Sequence, residues 1–299
     1  MQWKKYKKGC GYSYTLGPYP TFELIRLAAD RVIEVVFSPD FTQKDKLIQL
    51  LEQKQIPWRE NERLLRRLES KGNAYVIGIF KTDERAEEER AEDWQKVPHL
   101  VLDQVSDMGN LGSIMRTAIA MGVDHLVTVG PSCDINHPKS VRASMGAYFR
   151  IHHLHLDHLT HYHALFGGTH VLYLFMLEEG ACPLPFLSIP GQAGSTQEAE
   201  DVQEGPFTWS LVFGNEGSGL DPAMAKLGQS VIIPQSPHVD SLNLTTACAI
   251  ALYAFQGAHL MDPGEASLHA IMKGKRAKRA EEMAPKGGAD GNEDQSSDI

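Results

Sequence analysis

Cysteine is scarce and scattered: the 299-residue chain has four, Cys10, Cys133, Cys182 and Cys248, with no C-x-x-C pair among them. That excludes a disulfide framework and a zinc ribbon and leaves free thiols. Long apolar runs are missing as well. None approaches the ~18 residues that cross a bilayer, and the opening MQWKKYKKG has no apolar stretch of the kind a signal peptide carries. The expectation is a soluble, cytoplasmic chain with no membrane partner. Positive charge is in deficit, with 29 Lys and Arg against 38 Asp and Glu for a net charge of −9. Phosphate neutralisation supplies most nonspecific nucleic-acid affinity, so the sum argues against such a partner. The acids are clustered, however, in 84–92, in 198–204 and in the tail, while Lys4, Lys5, Lys7 and Lys8 form a basic cluster, which leaves a local basic surface open. No internal repeat is visible.

What is present is an alternation of helix and strand patterns. FELIRLAAD (22–30), DKLIQLLEQ (45–53) and RLLRRLESKG (63–72) have helical periodicity, and RVIEVVF (31–37) and AYVIGIF (74–80) read as strands. Together they predict a small α/β unit over 1–82. The highly charged segment 83–97 reads as a linker. A second series runs over 98–262, beginning with the buried-strand pattern HLVLDQV (99–105), the helical LGSIMRTAIAMG (111–122) and the strand-like HLVTVG (125–130). Further strands are predicted at 148–155, 170–176, 208–213 and 230–233, and a long helix at 244–259. Strands alternating with helices imply a mostly parallel sheet covered on both faces. The Gly, Ser, Gln and Glu of 187–206 predict an exposed loop. The tail 263–299, with little apolar content, predicts disorder.

Three segments each follow or flank a predicted strand, where open α/β sheets hold their ligands. In Asp107-Met108-Gly109-Asn110-Leu111-Gly112-Ser113-Ile114-Met115-Arg116, two glycines let the backbone approach a ligand and Asn110 is placed to cap the following helix. Arg116, about two turns into that helix, either reaches along the surface or points into a site. Gly214-Asn215-Glu216-Gly217-Ser218-Gly219-Leu220 is glycine-rich but lacks the G-x-G-x-x-G spacing of a dinucleotide turn. That spacing excludes the usual nucleotide-dependent oxidoreductase. Glu216 reads either as an acid capping backbone amides or as a catalytic one. Ile233-Pro234 is followed by Ser241-Leu242-Asn243, where Ser241 or Asn243 reads either as a helix N-cap or as a functional group.

The three in order, D-x-G-N-x-G-x-x-x-R, G-N-E-G-S-G-L and I-P with S-L-N, resemble the motifs of the SpoU (TrmH-like) class of RNA methyltransferases in the SPOUT superfamily. The likeness covers about 98–260, and the N-terminal unit resembles the small ribosomal-protein-like substrate-binding domain that often precedes it. The resemblance implies a SPOUT domain with a mostly parallel sheet and a trefoil knot, a homodimer whose active site borrows residues across its interface, and methyl transfer from S-adenosylmethionine to a ribose 2′-hydroxyl of rRNA or tRNA. It places the cofactor against Gly214, Ile233 and Leu242, and Arg116, Asn110, Glu216, Ser241 and Asn243 on the reacting side. Met108 departs from the proline that the class usually has after the aspartate, which removes rigidity from the turn but no chemical group. The rival reading is a noncatalytic RNA-binding, ribosome-assembly protein on the same fold.

Other candidates are weaker. Arg63, Arg66 and Arg67, and the pair Lys139 and Arg142, join the N-terminal lysines as possible phosphate contacts. Tyr12, Tyr14 and Tyr19 are either base-stacking or packing groups. His152, His153, His155, His158, His161 and His163 crowd together without a nearby Cys or carboxylate in a fixed motif, so surface or interface histidines are expected and no metal.

Overall fold

Parallel strands buried on both faces need continuous apolar runs, and two segments supply them: every residue of β5 (His99–Asp103) and of β10 (Thr208–Phe213) is buried. They are neighbours at the centre of a seven-stranded sheet of order β7-β6-β5-β10-β8-β11-β9, all of whose pairings are parallel. The remaining strands are β6 (His125–Val129), β7 (His152–Leu156), β8 (His170–Phe175), β9 (Cys182–Pro183) and β11 (Gln229–Ile232). The structure, a computed structural model, describes residues 3–69, 74–82, 92–187, 189 and 208–256. Most of the segment 83–97, much of 187–206 and the tail 263–299 lie outside them, as does the end of the helix predicted to reach residue 259.

Alternation along the central strands sorts the core into two layers. Leu100, Leu102, Leu211 and Phe213 face α4 (Met108–Ala120) and α7 (Leu244–Gln256), which contribute Leu111, Ile114, Met115, Cys248, Leu252 and Phe255. Val101, Val127, Leu154 and Val212 face the other way, onto Tyr162 and Phe166 of α6 (Leu159–Phe166). The short α5 (Pro138–Ala143) lies against α4, where a Cβ on Gly112 would come 2.4 Å from the Cβ of Ala143. Only glycine permits that approach.

The N-terminal sheet has the order β1-β4-β2-β3, with β1 (Tyr12–Tyr14), β2 (Val32–Phe37), β3 (Trp58–Glu60) and β4 (Val76–Lys81). One face packs on α3 (Glu62–Leu68), the other on α2 (Lys44–Gln53) and α1 (Pro18–Leu27). Leu24 of α1 and Phe80 of β4 instead join the core of the large sheet, and both sheets belong to one compact unit, Met1–Gly257.

The structure corrects the bounds of two expected elements and places several single side chains. The helix of the first motif starts at Met108 rather than after Asn110, because the Asp107 side chain accepts the Asn110 amide at 2.7 Å and is the N-cap. The strand predicted over 148–155 begins only at His152. Gly146, at φ +85°, turns the chain into a 3-10 turn over Ala147–Arg150 that buries Tyr148. Tyr14 is a core residue whose hydroxyl donates to the Leu68 carbonyl, and Tyr12 packs edge-on to Trp3. Trp94, in the segment read as a linker, is buried against His99 and His125. His153 and His155 share one face of β7, and both bond the Thr128 hydroxyl.

Candidate functional site

Because all seven strands are parallel, the segments that follow β5, β8, β10 and β11 leave from one edge of the sheet, and three of them are the motif segments. After β5, Gln104 takes φ +56° and turns the chain toward α4. Its carbonyl accepts the Asn215 side-chain amide at 2.8 Å, which fastens this turn to the loop after β10. That loop closes on itself. Asn215 and Gly219 exchange backbone hydrogen bonds, and the Asn215 side-chain oxygen accepts the amides of Gly217 and Ser218. Gly214 is held so tightly that a Cβ would sit 2.2 Å from backbone atoms of Gly219 and Leu220.

Glu216 makes the second link. Its carboxylate accepts the Ser106 amide and hydroxyl at 3.2 and 3.0 Å, the Asp107 amide at 3.4 Å and Asn110 Nδ2 at 3.1 Å. Partial burial by itself would raise its pKa, but the donors from Asn110 and Ser106 outweigh this and hold the carboxyl below its ordinary range. The group is therefore an ionised clamp between the first and second motifs. Asn243 caps α7, with its side-chain oxygen accepting the Thr245 amide at 2.9 Å.

The loops enclose a cavity of about 420 Å³ whose lining includes Gly214, Glu216, Ile233, Ser241 and Leu242. Five of the eight site residues expected from the motifs therefore share one cavity. Asn110 reaches it only through Glu216, and Asn243 is adjacent to Leu242 and outside the lining. Arg116 also lies outside the lining; it is exposed on α4 and bonds no described residue. Sequence reasoning missed Leu177, Glu178, Gln235 and Asp240, which also line the cavity. Leu177 and Glu178 follow the end of β8, and that position alone was the available signal. A larger cleft of about 990 Å³ lies by the amino-terminal ends of β6 and β7, lined by Arg31, Trp94, His125, Tyr148 and His152 among others, and no expected site residue reaches it.

A fully parallel open sheet with a glycine-rich cavity at its carboxyl edge, and no dinucleotide turn, defines an α/β ligand-binding domain outside the usual Rossmann pattern. The family is given by the sequence: residues 98–253 match the model of the SpoU rRNA Methylase family, and the chain belongs to it. Among similar proteins is the 23S rRNA (guanosine(2553)-2′-O)-methyltransferase of Bacillus subtilis, 30% identical over 53% of this chain and 57% of its own length. Another is the 23S rRNA (uridine(2479)-2′-O)-methyltransferase of Streptomyces viridochromogenes, 29% identical over 54% of this chain and 55% of its own length. The chain thus spans little more than half the length of these relatives. Among solved structures, the SpoU methyltransferase AviRb from Streptomyces viridochromogenes in complex with AdoMet shares the fold with TM-score 0.67 at 21% identity, over 84% of this chain and 91% of its own. An AdoMet-bound rRNA methyltransferase from Sinorhizobium meliloti gives 0.65 at 23% identity, over 83% and 88%.

Proposed function

We propose that the chain transfers a methyl group from S-adenosylmethionine to a ribose 2′-hydroxyl of rRNA or tRNA. The carrying observation is that the second and third motif segments line a single cavity at the edge of the sheet from which the first also leaves, with Glu216 bonding the second motif to the first. The residues present fit the cofactor. The cavity volume lies within the ~300–1,000 Å³ of small-molecule sites; Ile233, Leu242 and Leu177 offer apolar surface to an adenine, and Glu178, Asp240 and Glu216 favour a cation.

When bound, the cofactor supplies an electrophilic methyl group on a sulfonium. The protein's work is then positioning, which can be worth ~7–11 kcal/mol. A guanidinium offers five N–H donors and no acceptor for a proton, so the role of Arg116 is to bind the phosphate beside the reacting ribose and stabilise negative charge developing on the 2′-oxygen. Asn110 and Glu216 fix the loop pair. Ser241 and the Nδ2 of Asn243, which bonds no described residue, orient nucleotide or cofactor groups.

Within one chain Arg116 stands outside the cavity lining, which supports a homodimer in which a second copy completes the site. Apolar surface for that contact is present on α7, beside α4, where Ile250 and Tyr253 are 38% and 56% exposed. The trefoil knot belongs to the same proposal. It is supported by the return of α7 across α4 and β10 after β11 has passed outside β8. The N-terminal unit 1–82 is assigned as the substrate-binding domain, joined by 83–97 to the methyltransferase domain 98–262, and the cytoplasm as the place of work. Among the described residues no helix is long and apolar enough to cross a membrane.

The test is incubation with total cellular RNA and methyl-labelled adenosylmethionine, followed by digestion and identification of the labelled nucleoside by mass. Label in a 2′-O-methylnucleoside supports the reading. Cofactor binding without label, across several RNA pools, would support a noncatalytic assembly factor. Arg116→Ala should abolish label while leaving cofactor affinity unchanged.

A further inference from the structure

Of the three groups of cations left unassigned by the motifs, two, the N-terminal lysines and the Lys139–Arg142 pair, are brought together by the fold. Tyr6, in the middle of the lysine cluster, donates its hydroxyl to the Asp134 carboxylate and sets its ring edge-on to His137 at 5.6 Å. Ser13, at β1, donates to the Asn136 carbonyl. His137 is the N-cap of α5, accepting the Lys139 amide at 3.1 Å. The basic segment is thus pinned to the loop that opens directly into α5. On its other side α5 packs on α4 at Gly112, and Arg116 stands one helical turn beyond Gly112 on that same flank.

Along this path opposite charge is sparse. Residues 1–22 contain no Asp or Glu, and neither does α4 or α5. Lys4, Lys5, Lys7, Lys8, Lys139 and Arg142 are exposed, and their side chains bond no described residue. The Asp134 carboxylate is occupied by Tyr6 and by the Asn136 amide, and that of Asp107 by the Asn110 amide. In a chain of net charge −9, such a segregation of unpaired cations fits an anionic partner.

We propose that these side chains form a phosphate-binding track that leads the RNA substrate across α5 to Arg116. The proposal rests on the RNA methyltransferase reading. RNA phosphates are spaced along a flexible strand that lysines and arginines engage without reading sequence, which matches a row of unpaired cations more closely than a single pocket would.

The test uses the full chain, a labelled mixed-sequence single-stranded RNA, and binding measured over a range of salt. Two variants are compared with the parent: Lys4→Ala/Lys5→Ala/Lys7→Ala/Lys8→Ala, and Lys139→Ala/Arg142→Ala. Each should bind at least ~10-fold more weakly near 0.1 M salt, with the slope of log affinity against log salt shallower by about 0.7 for every phosphate no longer neutralised. KM for RNA should rise while kcat and adenosylmethionine affinity stay unchanged. Unchanged slopes and KM in both variants would overturn the track, and so would an equal weakening of polyglutamate binding, which would mark a general polyanion surface. A parent protein that binds RNA with the expected salt slope but never labels it would sink methyl transfer and leave the track standing. Labelled RNA with unaffected variants would sink the track alone.

Discussion

Glu216 and Asn110, 106 residues apart in the chain, meet at 3.1 Å, with the carboxylate on the loop after β10 accepting the side-chain amide on the first turn of α4. The bond makes one rigid wall out of two loops that no local pattern connects. It also explains why an acid sits among three glycines: the same carboxylate accepts the Ser106 and Asp107 amides at the turn into α4.

Removing this clamp should therefore cost stability as well as activity. Glu216→Ala is expected to lose about 1 kcal/mol in urea unfolding at neutral pH, below the ~1.5–3 kcal/mol of a buried hydrogen bond to a charged group because the clamp is partly solvated. Glu216→Gln, which keeps an acceptor for Asn110, should lose less. The folded carboxyl titrates below its ordinary 4.5, so its contribution is complete above that pH and disappears as pH falls through the folded value. The gap between the parent and Glu216→Gln should close on acidification; a constant gap would show that charge is not involved.

Gly214→Ala places a methyl group against backbone rather than against a movable side chain, since the approaches of 2.2 Å are to Gly219 and Leu220 main-chain atoms. The loop must open. Overpacking of this kind costs about 1–3 kcal/mol, and calorimetric titration should show cofactor binding weakened beyond detection even where the variant remains folded. Normal affinity would mean that the loop does not shape the pocket.

Acid should destabilise the large sheet through its histidines. His99 is held well below 6.5 by burial and by the neighbouring His170 and His125, and burial also lowers His125 and His170. These groups are neutral in the folded protein, whereas the unfolded chain takes up protons below about pH 6.5. Melting temperature should be flat between about pH 7 and 8 and fall progressively below about pH 6.5. His99→Phe should flatten the fall, and an unchanged slope would exclude His99 as a source.

Cys133 should resist alkylation. Burial, and then the Glu216 and Asp107 carboxylates, push its thiol up to about 11. Its rate of reaction with iodoacetamide, followed by mass mapping, should keep rising toward that pH in the folded protein while the urea-unfolded chain levels off near 9, the ordinary thiol value. Glu216→Gln should shift the folded profile to lower pH. A fast reaction at neutral pH would show that the thiol is neither buried nor surrounded by negative charge.

Much of the fold was legible because strand and helix periods are local. The run TWSLVF announces β10 to the residue, and HLVLD announces β5 without its two following residues. Short elements escaped, since the three-residue β1 and β3 and the six-residue α5 carry too few positions for a period to show. The cap of α4 was misread because Asp107 and Asn110 are both good caps, and the choice between them depends on where β5 releases the chain.

The sequence by itself determined the family: the glycines, Asn110, Arg116, Glu216, Ser241 and Asn243 stand in spacings that name it without any coordinates. Tertiary structure decided which of them meet. Parallel pairing of β5, β10, β8 and β11 sends four distant loops to one edge, where Glu178 and Asp240 join the cavity without a motif of their own. The packing of α4 leaves Arg116 facing outward. Both outcomes depend on strand order and helix packing between residues far apart in the chain, and a pattern read along the chain carries no information about distances across it.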